Sequence, residues 1–156
     1  MSGVRIFLTL LSLVLVGIAA AQDTADFSGS WVLNTKKGEN LGMVAAIQET
    51  LVIVQTQDQL KVDFTDVFQG NTTTRQVTYD LSGDPAENFA AMGDRSETVS
   101  TWTDGVLLTT WTSEGAIAGT QVMRTETRTL SEDGNIMTVS NARGERPAMV
   151  LVYEKQ

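Results

Sequence analysis

From residue 29 onward, apolar and polar residues alternate in short runs with the period of two that a pleated strand requires. Runs at 29–34, 45–56, 59–68, 73–81, 95–103, 106–113, 120–130, 135–141 and 148–154 have strand length and are rich in β-branched Thr and Val. Turn chemistry separates them at Gln57-Asp58, Gln69-Gly70-Asn71, Ser82-Gly83-Asp84-Pro85, Asp104-Gly105, Glu114-Gly115, Asp133-Gly134 and Arg143-Gly144. The pattern predicts an all-β fold of eight or nine strands joined as antiparallel hairpins. No 20–50-residue repeat or second domain is visible.

Opposing residues across a tight turn keep a constant sum and share a sheet face, so the pattern also predicts register. A two-residue turn at Gln57-Asp58 sets Leu60 opposite Gln55, Val62 opposite Ile53, Phe64 opposite Leu51 and Phe68 opposite Ile47. Large apolar side chains then gather on one face, and Thr50, Lys61, Asp63 and Thr65 on the other. A type I′ turn at Asp104-Gly105 pairs Trp102 with Leu107 and Thr98 with Trp111. Across Asp133-Gly134, Leu130 faces Met137. Strands with one apolar face need closure into a barrel or a second sheet over the core. A barrel removes exposed edges, and with eight or more strands it has room inside for side chains plus one small ligand.

The N-terminal segment follows a different rule. After Arg5, the chain from Ile6 to Ala21 is uncharged and dominated by Leu, Val and Ile, and it ends in the small residues Ala19-Ala20-Ala21. This is the layout of a signal peptide cut after Ala21, and the run is too short for a typical spanning helix. Residues 1–21 are therefore expected to be removed, leaving 22–156 as a single exported domain, periplasmic or extracellular, with no stable membrane insertion.

Composition narrows the chemistry. The 156-residue chain has no cysteine and no histidine. Disulfides, thiolate nucleophiles, Cys-ligated metals and Ser-His-Asp hydrolysis are excluded. With 11 Lys+Arg against 19 Asp+Glu, the net charge of −8 has the wrong sign for neutralising phosphates, and nucleic acid is not an expected partner. No metal site or cofactor is indicated by motif.

The mature chain opens with Phe27-Ser28-Gly29-Ser30-Trp31-Val32-Leu33-Asn34. It carries Trp102-Thr103-Asp104-Gly105 at mid-chain and Leu130-Ser131-Glu132-Asp133-Gly134 before a last apolar strand, Met149 to Tyr153. In order and spacing these phrases resemble the small exported bacterial proteins of lipocalin-like (calycin) type. The resemblance implies an up-and-down β-barrel whose first tryptophan, Trp31, plugs one end. It implies no particular ligand.

Within that barrel, Leu51, Phe64, Trp102, Leu107 and Trp111 fall on the inward face, where they either fill the core or line an apolar cavity. Arg124, Glu126 and Arg128 share one face of their strand. Facing inward, the arginines are placed to clamp an anionic group; facing outward, they form a solvated charge ladder. Glu49 lies opposite Asp66, as an acid/base pair or a hydrated rim would. The loop Lys36-Lys37 with Gly38 to Gly42 is placed to guard a mouth, and 82–94 reads as a lid or short helical turn. The expected function is non-enzymatic binding of a small, largely apolar ligand. The alternative is an envelope or extracellular structural or protein-interaction module with a filled barrel.

Overall fold

A computed structural model describes residues 24–90 and 93–156, so the segment read as a signal peptide lies outside the described residues. Ten strands form a single antiparallel sheet: β1 (Gly29–Leu33), β2 (Gln48–Gln55), β3 (Gln59–Phe68), β4 (Asn71–Asp80), β5 (Ala86–Phe89), β6 (Arg95–Thr103), β7 (Val106–Glu114), β8 (Gln121–Leu130), β9 (Ile136–Ala142) and β10 (Met149–Lys155). Their spatial order is β4-β3-β2-β1-β10-β9-β8-β7-β6-β5. Sequential strands are neighbours except at one seam, and β1 pairs with β10, which curls the sheet into an up-and-down barrel closed everywhere but between β4 and β5.

The hairpin registers follow the turn chemistry. Leu51 pairs with Phe64 and Ile53 with Val62; Trp102 pairs with Leu107 and Thr98 with Trp111; Leu130 pairs with Met137. Asp104 and Gly105 have φ of 50° and 77°, as a type I′ turn requires. Inward positions supply the core, in which Trp31, Leu51, Leu60, Val62, Val77 and Met137 are almost wholly buried.

Three expectations are corrected. The strand count is ten, because β5 occupies part of the segment read as a lid; Ala-Glu-Asn-Phe beside Pro85 has little intrinsic strand preference, and pairing with β6 imposes the conformation. The second strand starts at Gln48 instead of residue 45, since Gly42–Ala46 forms a 3-10 turn. Ile47 consequently lies outside β2, and Phe68 closes a hairpin with Asn71 and stands 43% exposed.

The two ends of the barrel differ. At one, Phe27 stacks on Trp102 with ring centroids 5.9 Å apart, and fully buried Trp31 donates its indole N–H to the Phe27 carbonyl at 2.9 Å. The Gln55 side chain accepts the Phe27 N–H at 3.0 Å and donates to the Ala25 carbonyl at 2.8 Å, fixing the plug. The other end is the mouth, where the β1–β2 connection with its 3-10 turn meets the β3–β4, β7–β8 and β9–β10 turns.

Candidate functional site

Beneath the mouth lies a cavity of about 160 Å³. Apolar walls come from Leu51, Phe64, Val139 and Leu151, and against them stand two clusters of ionisable side chains.

The deeper cluster is centred on Arg128, 2% exposed. β8 alternates strictly here, so Arg124, Glu126 and Arg128 all point inward. Arg128 Nη2 donates to Glu126 Oε1 at 3.0 Å and to the Tyr79 hydroxyl at 3.4 Å, while Tyr79 donates to the same Glu126 oxygen at 3.0 Å. Burial raises the Tyr79 hydroxyl pKa above its ordinary range, which keeps that proton in place as a donor. The Nε and Nη1 groups of Arg128 are buried without a hydrogen-bond partner. Buried guanidinium donors left unpaired cost on the order of 1–3 kcal/mol each, so an acceptor arriving there meets a site already prepared for it.

The second cluster lies nearer the mouth. Tyr153 donates to Glu49 Oε1 at 2.5 Å, and Arg75 Nη2 lies 3.4 Å from Glu49 Oε2. Arg75 lies flat over Phe64, 3.4 Å from the ring centroid, a close cation–π contact. Asp66 sits across the ladder from Glu49, with Oδ1 buried and unpartnered. Burial pushes the Glu49 carboxyl up to about 7, against the opposing hydrogen bond from Tyr153. Between the clusters, Trp111 has Arg124 stacked 4.2 Å over its ring and Tyr79 edge-on, and its indole N–H is unpartnered.

Of the residues singled out from sequence, Leu51, Phe64, Trp111, Arg124 and Arg128 line this cavity. Leu107 and Trp102 do not: Leu107 is packed in the core, and Trp102 belongs to the plug. Glu49 and Asp66 are opposed as expected, yet Glu49 is only 7% exposed, so the pair is no hydrated rim. Sequence reasoning missed Arg75, Tyr79 and Tyr153. Extending the register through Gln69-Gly70 would have found two of them, since it sets Phe64 opposite Arg75 and Leu60 opposite Tyr79.

Elsewhere in the interior, β6 and β7 contribute buried hydroxyls. Ser96, Thr98, Ser100 and Thr109 are buried, with the Ser100 and Thr109 oxygens 2.9 Å apart. A wider, open depression of about 800 Å³ lies over Glu87, Arg95, Glu97 and Glu114, whose exposed charges face water. Among the described residues, no group of three acidic side chains is placed to hold a metal ion, and no helix is long and apolar enough to cross a membrane.

No protein-family model matches the chain, and no curated protein matches it. Solved structures do. The fatty acid transporter REP1-NXSQ superposes with a TM-score of 0.64 at 13% identity, covering 83% of this chain and 95% of that one. Fatty-acid-binding protein 1 of Echinococcus granulosus gives 0.60 at 16%, covering 83% and 96%. The Schistosoma mansoni fatty acid binding protein, solved with arachidonic acid, gives 0.63 at 14%, again covering 83% and 96%. At these identities the likeness is one of fold: an up-and-down β-barrel like that of these fatty-acid-binding proteins.

Proposed function

We propose that the protein is an exported, non-enzymatic carrier that holds a small amphipathic organic anion inside its barrel. The observation that carries this reading is Arg128: a buried guanidinium lining the cavity, with Nε and Nη1 unpartnered and only Glu126 and Tyr79 as neighbours on its third nitrogen. A carboxylate oxygen is a suitable charged acceptor for either free donor, Nε–H or Nη1–H, which point to different sides of the guanidinium. The apolar wall of Leu51, Phe64, Val139 and Leu151 then receives the ligand's body. Cavity volume restricts the size of that body. At about 160 Å³ it is near the roughly 150 Å³ that holds a benzene ring and well below the ~300 Å³ at which drug-sized pockets begin. The lipid carriers that share the fold support a carrier role, whereas the charged lining favours a shorter, more polar molecule than a long acyl chain. The N-terminal run to Ala21 supports export.

The test is a native mass spectrum of the protein purified from its own host, recorded beside a denaturing one. An additional mass of a few hundred daltons or less, lost on denaturation, is expected. A bare protein that also takes nothing from mixtures of short-chain carboxylates would contradict the reading and move attention to the outer surface.

A further inference from the structure

At the mouth, Arg124 of β8 and Arg143 and Arg146 of the β9–β10 turn line one depression of about 240 Å³, together with Asn141, Pro147 and Met149. Among the described residues, the carboxylates within 4.0 Å of a cation are those facing Lys37, Lys61, Arg75, Arg95 and Arg128. None faces these three arginines. In a chain of net charge −8, three arginines lining one depression with no carboxylate within 4.0 Å leave a local positive potential, and Asp94 lines the adjoining depression beside Arg124 and Arg143. The depression adjoins the carrier cavity, since Arg124, Asn141 and Met149 line both.

We propose that this arginine cluster is a second anion subsite, which takes a phosphate group at the outer end of the ligand held inside. The inference rests on the carrier reading and adds the ligand's other end. Three guanidiniums present more N–H donors than the two oxygens of a carboxylate can use, and they suit a dianion with three free oxygens. Arg124 and Arg128 are four residues apart on one strand face, a Cα separation of about 13 Å. A ligand with an acceptor at its inner end and a phosphate about six carbons away therefore spans the two sites. Asn141, half-buried between them, offers an amide to its neck.

Calorimetric titration of the full chain with hexanoate, 6-hydroxyhexanoate, 6-phosphonooxyhexanoate and inorganic phosphate tests this. The phosphorylated probe is expected to bind at least about tenfold more tightly than the hydroxy probe, an advantage lost in the exposed double variant Arg143→Gln/Arg146→Gln. Arginine-dependent binding of inorganic phosphate alone would also support the subsite and identify free phosphate as a sufficient source. Equal binding of the phosphorylated and hydroxy probes, with hexanoate still bound, would overturn the subsite and leave the carrier reading standing. Failure of hexanoate and the phosphorylated probe alike would remove both. Arginine-dependent sedimentation with phosphatidic acid vesicles, without any gain for the soluble phosphorylated probe, would overturn the proposal in favour of a membrane-facing rim.

Discussion

The side-chain amide of Asn88 accepts the Thr78 N–H at 3.0 Å and donates to the Thr78 carbonyl at 2.9 Å, bridging β5 and β4 as one rung of a ladder would. The same nitrogen lies 2.8 Å from the Thr98 hydroxyl on β6. β4 and β5 share no backbone pairing, so among the described residues one amide bridges the seam between them.

Asn88→Ala removes all three bonds and leaves both Thr78 groups at the seam without this partner. It should destabilise the protein by about 2–4 kcal/mol in urea titration. Asn88→Asp keeps the acceptor but loses the donor, and the carboxylate then faces the Thr78 carbonyl; it should also be destabilising. A loss below about 0.5 kcal/mol for Asn88→Ala would mean that other contacts close the seam.

Buried Glu49 makes stability depend on pH. Its carboxyl is raised to about 7 in the folded protein, above its ordinary value of 4.5, chiefly by burial. Below about pH 4.5 both folded and unfolded states hold the proton. Between 4.5 and 7 the unfolded chain releases it while the fold retains it, so stability falls as pH rises through that window and levels off above it. No histidine titrates in the interval. The carboxyls held low by hydrogen bonds, Asp26, Asp80, Asp133 and Glu154, act below it. The decline from pH 5 to pH 8 should be about 2–3 kcal/mol. Glu49→Gln, which preserves an acceptor for Tyr153, should flatten it. An unchanged slope in that variant would assign the proton elsewhere.

Leu51 and Phe64 are paired across β2 and β3, 1% and 7% exposed. Truncating either to Ala should cost about 2–5 kcal/mol. Phe64→Ala should lie toward the upper end, because Arg75 loses the ring it covers. Equilibrium unfolding of both variants checks the order.

The barrel was legible in the sequence wherever hairpins are tight, because a two-residue turn fixes every pairing that follows. Gln57-Asp58 and Asp104-Gly105 each determined a whole strand pair. β5 was not legible: its four residues carry no alternation, and β6 decides their conformation. For the site, parity brought Arg124, Glu126 and Arg128 to one face but left inside and outside undecided, since the alternate face, Met123 to Thr129, is scarcely more apolar. The buried Tyr79 hydroxyl, which shares Glu126 with Arg128, gives the inward face its polar partners. Trp102 shows the opposite failure. It shares parity with Trp111, yet lies at the plugged end, because parity gives a face and says nothing of depth along the barrel.

Arg128 is the residue on which the carrier reading depends, and its removal alone would strand Glu126 in the core at a cost of several kcal/mol. The charge-neutral double variant Glu126→Gln/Arg128→Met avoids that. Calorimetric titration of hexanoate and 1-hexanol into the parent and this variant is the decisive measurement. The parent should bind one hexanoate per chain and prefer it to hexanol by at least about tenfold, and the folded double variant should lose that preference. Equal affinity for acid and alcohol in the parent, or an undiminished preference in the variant, would contradict the role assigned to Arg128.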